Sequence, residues 1–240
     1  MLADVTFGAG AYVTVGSTDR LEFDGAAAMN GGHYTVAGAV DLGAQTVVHG
    51  ATCMFSGDGE LRIGASSETR LIDADLGSLE LVNRGSMRLE LTVAADRFTA
   101  IADSAWHVSL SDQLVVANAA TLAGDLNVEL PNGVVPESGD SFTVLTAGSL
   151  DGAFDNVASG DRISTEAGSF LVTYGAETNT VVLSDFAPCS ADLSGNGIVD
   201  TDDMLTLLAC WGTPDGDVTG DATTDVADLL AVIAAWGSCP

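Results

Sequence analysis

Twelve residues near the C-terminal end have the types and spacing to hold hard divalent cations. Asp192, Ser194, Asn196, Ile198, Asp200 and Asp203 stand at positions 1, 3, 5, 7, 9 and 12 of a 12-residue stretch. Those are the positions from which such a loop offers oxygens to calcium, the seventh through its backbone carbonyl. Twenty-five residues on, Asp217, Thr219, Asp221, Thr223, Asp225 and Asp228 repeat the pattern. Two bound Ca2+ ions are therefore expected, with unequal affinity. The tight turn at position 6 is Gly197 in the first copy and Ala222 in the second. If that position takes a positive φ, a Cβ there costs about 1–2 kcal/mol, so the second site is expected to be the weaker, although it carries four carboxylates to the first's three. Starting the second loop at Asp215 would put Gly220 at the turn, but it would also put Val226 at position 12, where a carboxylate belongs.

The elements that must position these loops follow directly. Each loop runs into an apolar segment that ends in Trp-Gly, Met204–Gly212 and Leu229–Gly237. Leu205, Leu208 and Trp211, like Leu230, Ile233 and Trp236, recur at helical spacing, and Gly212 and Gly237 are placed as helix caps. A single loop-helix unit cannot fold alone. Two can pack apolar face to apolar face, with the Trp residues expected as core anchors rather than sugar platforms, and metal binding adds folding free energy. Cys189 and Cys239 bracket the unit and can clasp its ends in an oxidising compartment, while Cys210 competes as a partner; Cys53, far upstream, reads as a buried apolar residue.

Composition agrees with a cation-binding chain. The 240 residues carry 34 acids against 7 basic residues, all Arg, for a net charge of -27. Such a chain repels phosphate backbones and anionic lipid heads, so nucleic acid and membrane surfaces are expected to be poor partners. Residues 187–240 hold nine Asp and no Glu, Arg or Lys, a charge that bound cations would offset. No apolar run of about 18 residues exists, so no membrane insertion is expected. The first residues lack the basic and apolar regions of a signal peptide, and we expect the chain to be a piece of a longer secreted protein.

Upstream, residues 1–111 are a series of short alternating segments, among them Tyr12–Val15, Leu21–Phe23, Tyr34–Val36, Ala39–Leu42, Thr46–Val48, Leu61–Ile63, Leu79–Val82 and Met87–Val93. Their period of two is that of strands. Strands this short, separated by a few Gly, Ser and Asp residues, predict a mainly β protein built as a parallel β-solenoid, with a β-sandwich as the alternative. Residues 112–186 carry longer strands and are expected to close the solenoid. Pro188 ends the β-rich composition, and 187–240 form the third region.

Two resemblances arise from these residues. The run Leu122-Ala-Gly-Asp-Leu-Asn-Val-Glu-Leu130, followed by Gly139-Asp-Ser-Phe-Thr-Val-Leu-Thr-Ala-Gly-Ser-Leu150, resembles the end of autotransporter-type passenger and surface β-helix proteins. The duplicated loop-helix unit at 190–238 resembles a dockerin of type I-like pattern. It shows Asp rather than Glu at position 12 and no helix ahead of each loop. The resemblance implies a calcium module that attaches secreted polysaccharide-degrading enzymes and surface proteins to a cohesin-type partner. At loop positions 10 and 11, where many dockerins select their cohesin, this chain has Thr201-Asp202 and Val226-Ala227, so its two faces differ.

Catalysis has thinner support. There is no Lys to serve as a lyase base, and the acid pairs Asp58/Glu60 and Asp73/Asp75 are ordinary for an acidic sheet. His33, His49 and His107 show no metal or triad spacing. The expectation is an extracellular or cell-surface, non-catalytic structural protein anchored by its calcium module. The alternative is the non-catalytic C-terminal part of a secreted polysaccharide-degrading enzyme. Carbohydrate is left open as a second class of partner.

Overall fold

The computed structural model describes residues 5–8, 10–131, 134, 136–137, 139–165, 167–175, 177–195 and 198–239. It divides into two compact units. One comprises Met1–Glu129, Phe142–Asp161 and Val172–Leu183; the other comprises Leu130–Ser141, Arg162–Leu171 and Ser184–Pro240.

The first unit is a parallel β-solenoid of about six turns. One sheet stacks Val5–Phe7, Ala27–Met29, Gln45–His49, Glu68–Ile72, Ser86–Glu90, Ala105–Ser109 and Asp125–Glu129. A second stacks Arg20–Phe23, Ala39–Leu42, Glu60–Ile63, Glu80–Asn83, Arg97–Ala100, Gln113–Leu122 and Ser141–Gly152. Between them a third stacks Tyr12–Val15, Gly32–Val36 and Cys53–Ser56. Partners on the first sheet, Val5, Ala27, Thr46, Thr69, Met87, Trp106 and Leu126, lie 18 to 23 residues apart, which is one turn of the coil. The ladders joining successive turns are parallel, which excludes the sandwich alternative.

Stacking in register makes the core. Met29, Val48, Leu71 and Leu89 lie one above another, and all are buried. So do Val40, Leu61, Leu81 and Phe98 on the second sheet. Each such side chain contributes about 1.5–3 kcal/mol, so the apolar columns, rather than strand length, hold strands of only three to five residues.

Several strands differ from the sequence reading. Ala27–Met29 and Arg97–Ala100 are strands that the sequence does not show, because each is short and lacks an alternating apolar signal. The run Met87–Val93 is not one strand. It breaks at Leu91, whose φ is 64°, into Ser86–Glu90 and Thr92–Ala95. This is a corner of the coil, held by Asp112, whose carboxylate accepts from the N–H groups of Leu91 (2.8 Å) and Ser109 (2.9 Å). Gln113–Leu122 and Asp125–Glu129 stack in parallel on the preceding turn.

In the second unit, Arg162–Thr165 pairs antiparallel with Gly168–Leu171. Two nine-residue helices follow later in the chain, α1 (Thr201–Ala209) and α2 (Val226–Ala234).

Close stacking leaves little room at the solenoid corners. Gly57 has φ +103°, and a Cβ there would sit 2.1 Å from the carbonyl oxygen of Val36 on the turn below. Gly57→Ala should therefore destabilise the solenoid by about 2–4 kcal/mol in chemical denaturation. Gly139→Ala, with nothing among the described residues within 4 Å of the added Cβ, should change it by less than about 0.5 kcal/mol.

Candidate metal centre

The two loops are built alike, and the helices explain why. Asp200 and Asp225 are the N-cap residues of α1 and α2, and each side chain accepts from the N–H two residues on, Asp202 at 2.8 Å and Ala227 at 2.7 Å. Asp203 and Asp228 stand three residues after the caps and reach back to the cap N–H groups, at 2.7 and 2.8 Å, completing a capping box at each helix. Positions 9 and 12 of each loop therefore start a helix as well as offering oxygens.

Both position-12 carboxylates are fully buried. Burial raises the Asp203 carboxyl, but the N–H groups of Asp200 and Ser194 outweigh it, and the group is held below the usual aspartate value. Asp228 is lowered from 3.8 to about 2, first by the Asp225 N–H, against burial, and then by the Thr219 N–H and hydroxyl and the Val218 N–H. A buried carboxylate that accepts this many hydrogen bonds keeps its charge.

Position 1 organises each turn. Asp217 Oδ1 accepts from the N–H groups of Gly220 (2.7 Å) and Asp221 (3.1 Å), and its Oδ2 accepts from Ala222 (2.6 Å). In the first copy Asp192 accepts from the Gly195 N–H at 2.8 Å and the Ser194 hydroxyl at 3.2 Å. Asn196 and Gly197 lie outside the described residues. Ala222 does take a positive φ, 70°, the costly conformation for a residue with a Cβ. Gly220, two residues before it, is also at positive φ, 81°, and the chain folded there aims three consecutive N–H groups at one carboxylate.

The donor chemistry suits a hard cation. Carboxylate oxygens of Asp217, Asp221 and Asp228 lie within 4.8 Å of one another, a span that ligands at 2.3–2.6 Å from one calcium ion can occupy. Asp228 Oδ1 accepts from the N–H groups of Val218 and Thr219 at 2.9 Å, and from the Thr219 hydroxyl at 3.0 Å. An ion bound to that oxygen would take the place of the hydroxyl's proton, with Thr219 Oγ1 turning to face the ion. The second convergence, Cys189, Asp192 and Cys239, is not a metal site, because the two sulfurs are joined in a disulfide.

The helices pack differently from the sequence reading. The module core is Ala191, Val199, Leu207, Val232 and Cys239, with Met204 and Leu229 packed against it. The other stripe faces outward: Leu205 is 59% exposed, Trp211 44%, Leu230 61% and Trp236 50%, with Leu208 and Ile233 also exposed. The Trp residues are thus surface groups, not core anchors. The buried carboxylate fixes the rotation of each helix. Residues four beyond it, Leu207 after Asp203 and Val232 after Asp228, share its inward face. Both helices also stop two residues short of the expected glycine caps, at Cys210 and Ala235, which leaves the Trp residues beyond the helix ends.

Two pairings were not visible in the sequence. Ile198–Val199 of the first loop pairs antiparallel with Gly237–Ser238, beyond α2. Thr224 of the second loop bonds to Gly212 and Thr213, beyond α1. Each loop is thereby braced by the segment after a helix.

Elsewhere, one acid of each pair considered for catalysis is engaged. Glu60 pairs with Arg62 at 2.5 Å, which holds its carboxyl below the usual range. Asp75 accepts from the Gly77 N–H at 2.9 Å. His107 lies 3.1 Å from Glu129, which Arg88 also grips, and His33 stacks on Tyr12 with ring centroids 4.9 Å apart. Compared with known proteins, the chain matches no family model, no curated protein and no solved structure.

Ala222→Gly should relieve the turn and stabilise the second loop by about 1 kcal/mol, read as slower amide exchange over residues 217–225. A pH series on the metal-free chain tests Asp228. Its folded value lies below its ordinary one, so its contribution is complete above pH 3.8 and is lost as pH falls towards about 2. Protection of the α2 amides, corrected for the intrinsic exchange rate, should fall through that window, and Asp228→Asn should remove the pH dependence.

Proposed function

We propose that this chain is an extracellular, non-catalytic surface protein whose residues 187–240 form a calcium-folded docking module of dockerin type. The solenoid precedes the module in the chain. The observation that carries the reading is the convergence of Asp217, Asp221 and Asp228 at one loop, repeated in sequence at Asp192–Asp203. Calcium supplies the positive charge that a nine-Asp module lacks. The chain's own groups do the rest: Asp217 gathers the turn, Thr219 and the Thr223 carbonyl add oxygens, and Asp228 ties the loop to the start of α2.

A cohesin-type partner is the second part of the proposal. Its support is the outward stripe of Leu205, Leu208 and Trp211, duplicated at Leu230, Ile233 and Trp236. Exposed apolar groups gathered on one stripe are unusual for a free surface and suit a protein partner. Positions 10 and 11, Thr201-Asp202 and Val226-Ala227, are exposed as well.

Calorimetric titration of the full chain with calcium tests the proposal. Two sites are expected, the one lost in Asp217→Ala being the weaker in the unmodified chain. An isotherm without calcium heat, or one that Asp192→Ala and Asp217→Ala leave unchanged, would overturn it.

A further inference from the structure

The duplicated module is a closed ring in which one junction is peptide and the other is disulfide. Moved forward by 25 residues, Cys189 falls on Pro214; moved back by 25, Cys239 falls on the same Pro214. Pro214 is where the chain passes from the first repeat to the second. The Cys189–Cys239 bond, spanning 50 residues, stands at the equivalent place where the chain has no peptide to offer.

The bracing of the loops follows this ring. The second loop is braced through Gly212 N–H to the Thr224 carbonyl (2.9 Å) and Thr224 N–H to the Thr213 carbonyl (2.8 Å). Residues 212 and 213 are tethered on both sides, by α1 and by the second loop itself. The first loop uses the shifted equivalents, Val199 with Gly237 and Ile198 with Ser238. Residues 237 and 238 are tethered by α2 on one side and by the disulfide on the other. The same bond touches the first loop at its opening position: the Asp192 N–H donates to the Cys189 carbonyl at 3.1 Å, and Asp192 Oδ2 lies 3.8 Å from Cys239 Sγ. That last approach is a contact, since a disulfide sulfur carries no proton.

We infer that the Cys189–Cys239 disulfide is a thiol-reversible control on the first ion-binding loop alone, a consequence that rests on the calcium reading above. The reductant is an external dithiol. One of its thiolates attacks a disulfide sulfur and its second resolves the mixed disulfide. The S–S bond breaks, two electrons and two protons pass to Cys189 and Cys239, and the dithiol leaves as its own disulfide. Residues 237–239 then lose their covalent link to the start of the module, and a two-residue strand does not offset the ordering cost of its own backbone. The first loop loses the pairing of Ile198 and Val199 with Gly237 and Ser238, and the contact at its position-1 carboxylate. The second loop keeps the bonds from Thr224 to Gly212 and Thr213.

The test uses the full chain carrying Cys210→Ser, which removes the free thiol able to exchange into the bond. The oxidised protein is compared with the protein held in excess dithiothreitol and with Cys189→Ser/Cys239→Ser. Two readouts are taken: calcium calorimetry, and amide exchange over residues 192–200 and 217–225 without metal. We expect reduction to weaken one calcium site by about tenfold or more and leave the other within about twofold. Exchange should quicken over 192–200 only. Two sites in the oxidised chain that weaken together, or neither of which weakens, would overturn the control while leaving the calcium reading intact. An oxidised chain that binds no calcium overturns both, and the amide data then report separately whether the bond braces the first loop.

Discussion

No repeat in this protein can satisfy its own backbone or bury its own apolar face. A solenoid turn of about 20 residues presents N–H and C=O groups above and below and pairs them only with the next turn. The consequence is visible in the register: Thr46, Thr69, Met87, Trp106 and Leu126 must coincide, although the turns differ in length by several residues. The corners absorb the difference. Leu91 bends with a positive φ under the Asp112 carboxylate, and Gly57 packs where a Cβ would meet the Val36 carbonyl. The same constraint recurs at smaller scale in the duplicated module, where each loop is braced by the segment after a helix.

Charge is managed locally rather than by balance over the whole chain. On the solenoid, Arg side chains bridge neighbouring turns, Arg20 to Asp41, Arg70 to Glu90 and Arg97 to Glu80. Each exposed pair contributes little to stability, about 0–1 kcal/mol, but together they place cations where stacked acids would repel. The module has no basic side chain at all. There the backbone does this work, with N–H groups converging on Asp217, Asp203 and Asp228 and helix N-termini placed beside them. Backbone dipoles neutralise a carboxylate only in part, which leaves the loops suited to a cation.

What was legible in the sequence follows from how local each signal is. Alternation gave the strands that bury every second side chain, such as Gln45–His49 and Glu60–Ile63, and with their brevity the solenoid. Ala27–Met29 and Arg97–Ala100 were invisible because their register with neighbouring turns, not their residues, makes them strands. Met87–Val93 read as continuous because a corner at Leu91 needs Asp112, twenty-one residues away. In the module the oxygen-bearing residues could be numbered from spacing alone. The packing of the helices could not, since adjacent apolar residues (Leu207 and Leu208, Val232 and Ile233) support two stripes about 100° apart. The choice between them depends on which way a buried aspartate points.

That choice shapes the surface. With Asp203 and Asp228 turned inward, Leu207 and Val232 must follow, and Leu205, Leu208, Trp211 and their counterparts are left outside. Had the outward stripe been buried instead, the position-12 carboxylates would have rotated away from the loops and lost the bonds from Ser194 and from Val218 and Thr219. Forming the loop and exposing the apolar stripe are thus one structural decision made twice. The 25-residue shift maps the stripe onto itself but not its tip, where Thr201-Asp202 faces solvent in one copy and Val226-Ala227 in the other. A partner that reads only the apolar body meets two equivalent faces; one that also hydrogen-bonds at the tip discriminates between them, because Val226 and Ala227 offer no side-chain donor or acceptor.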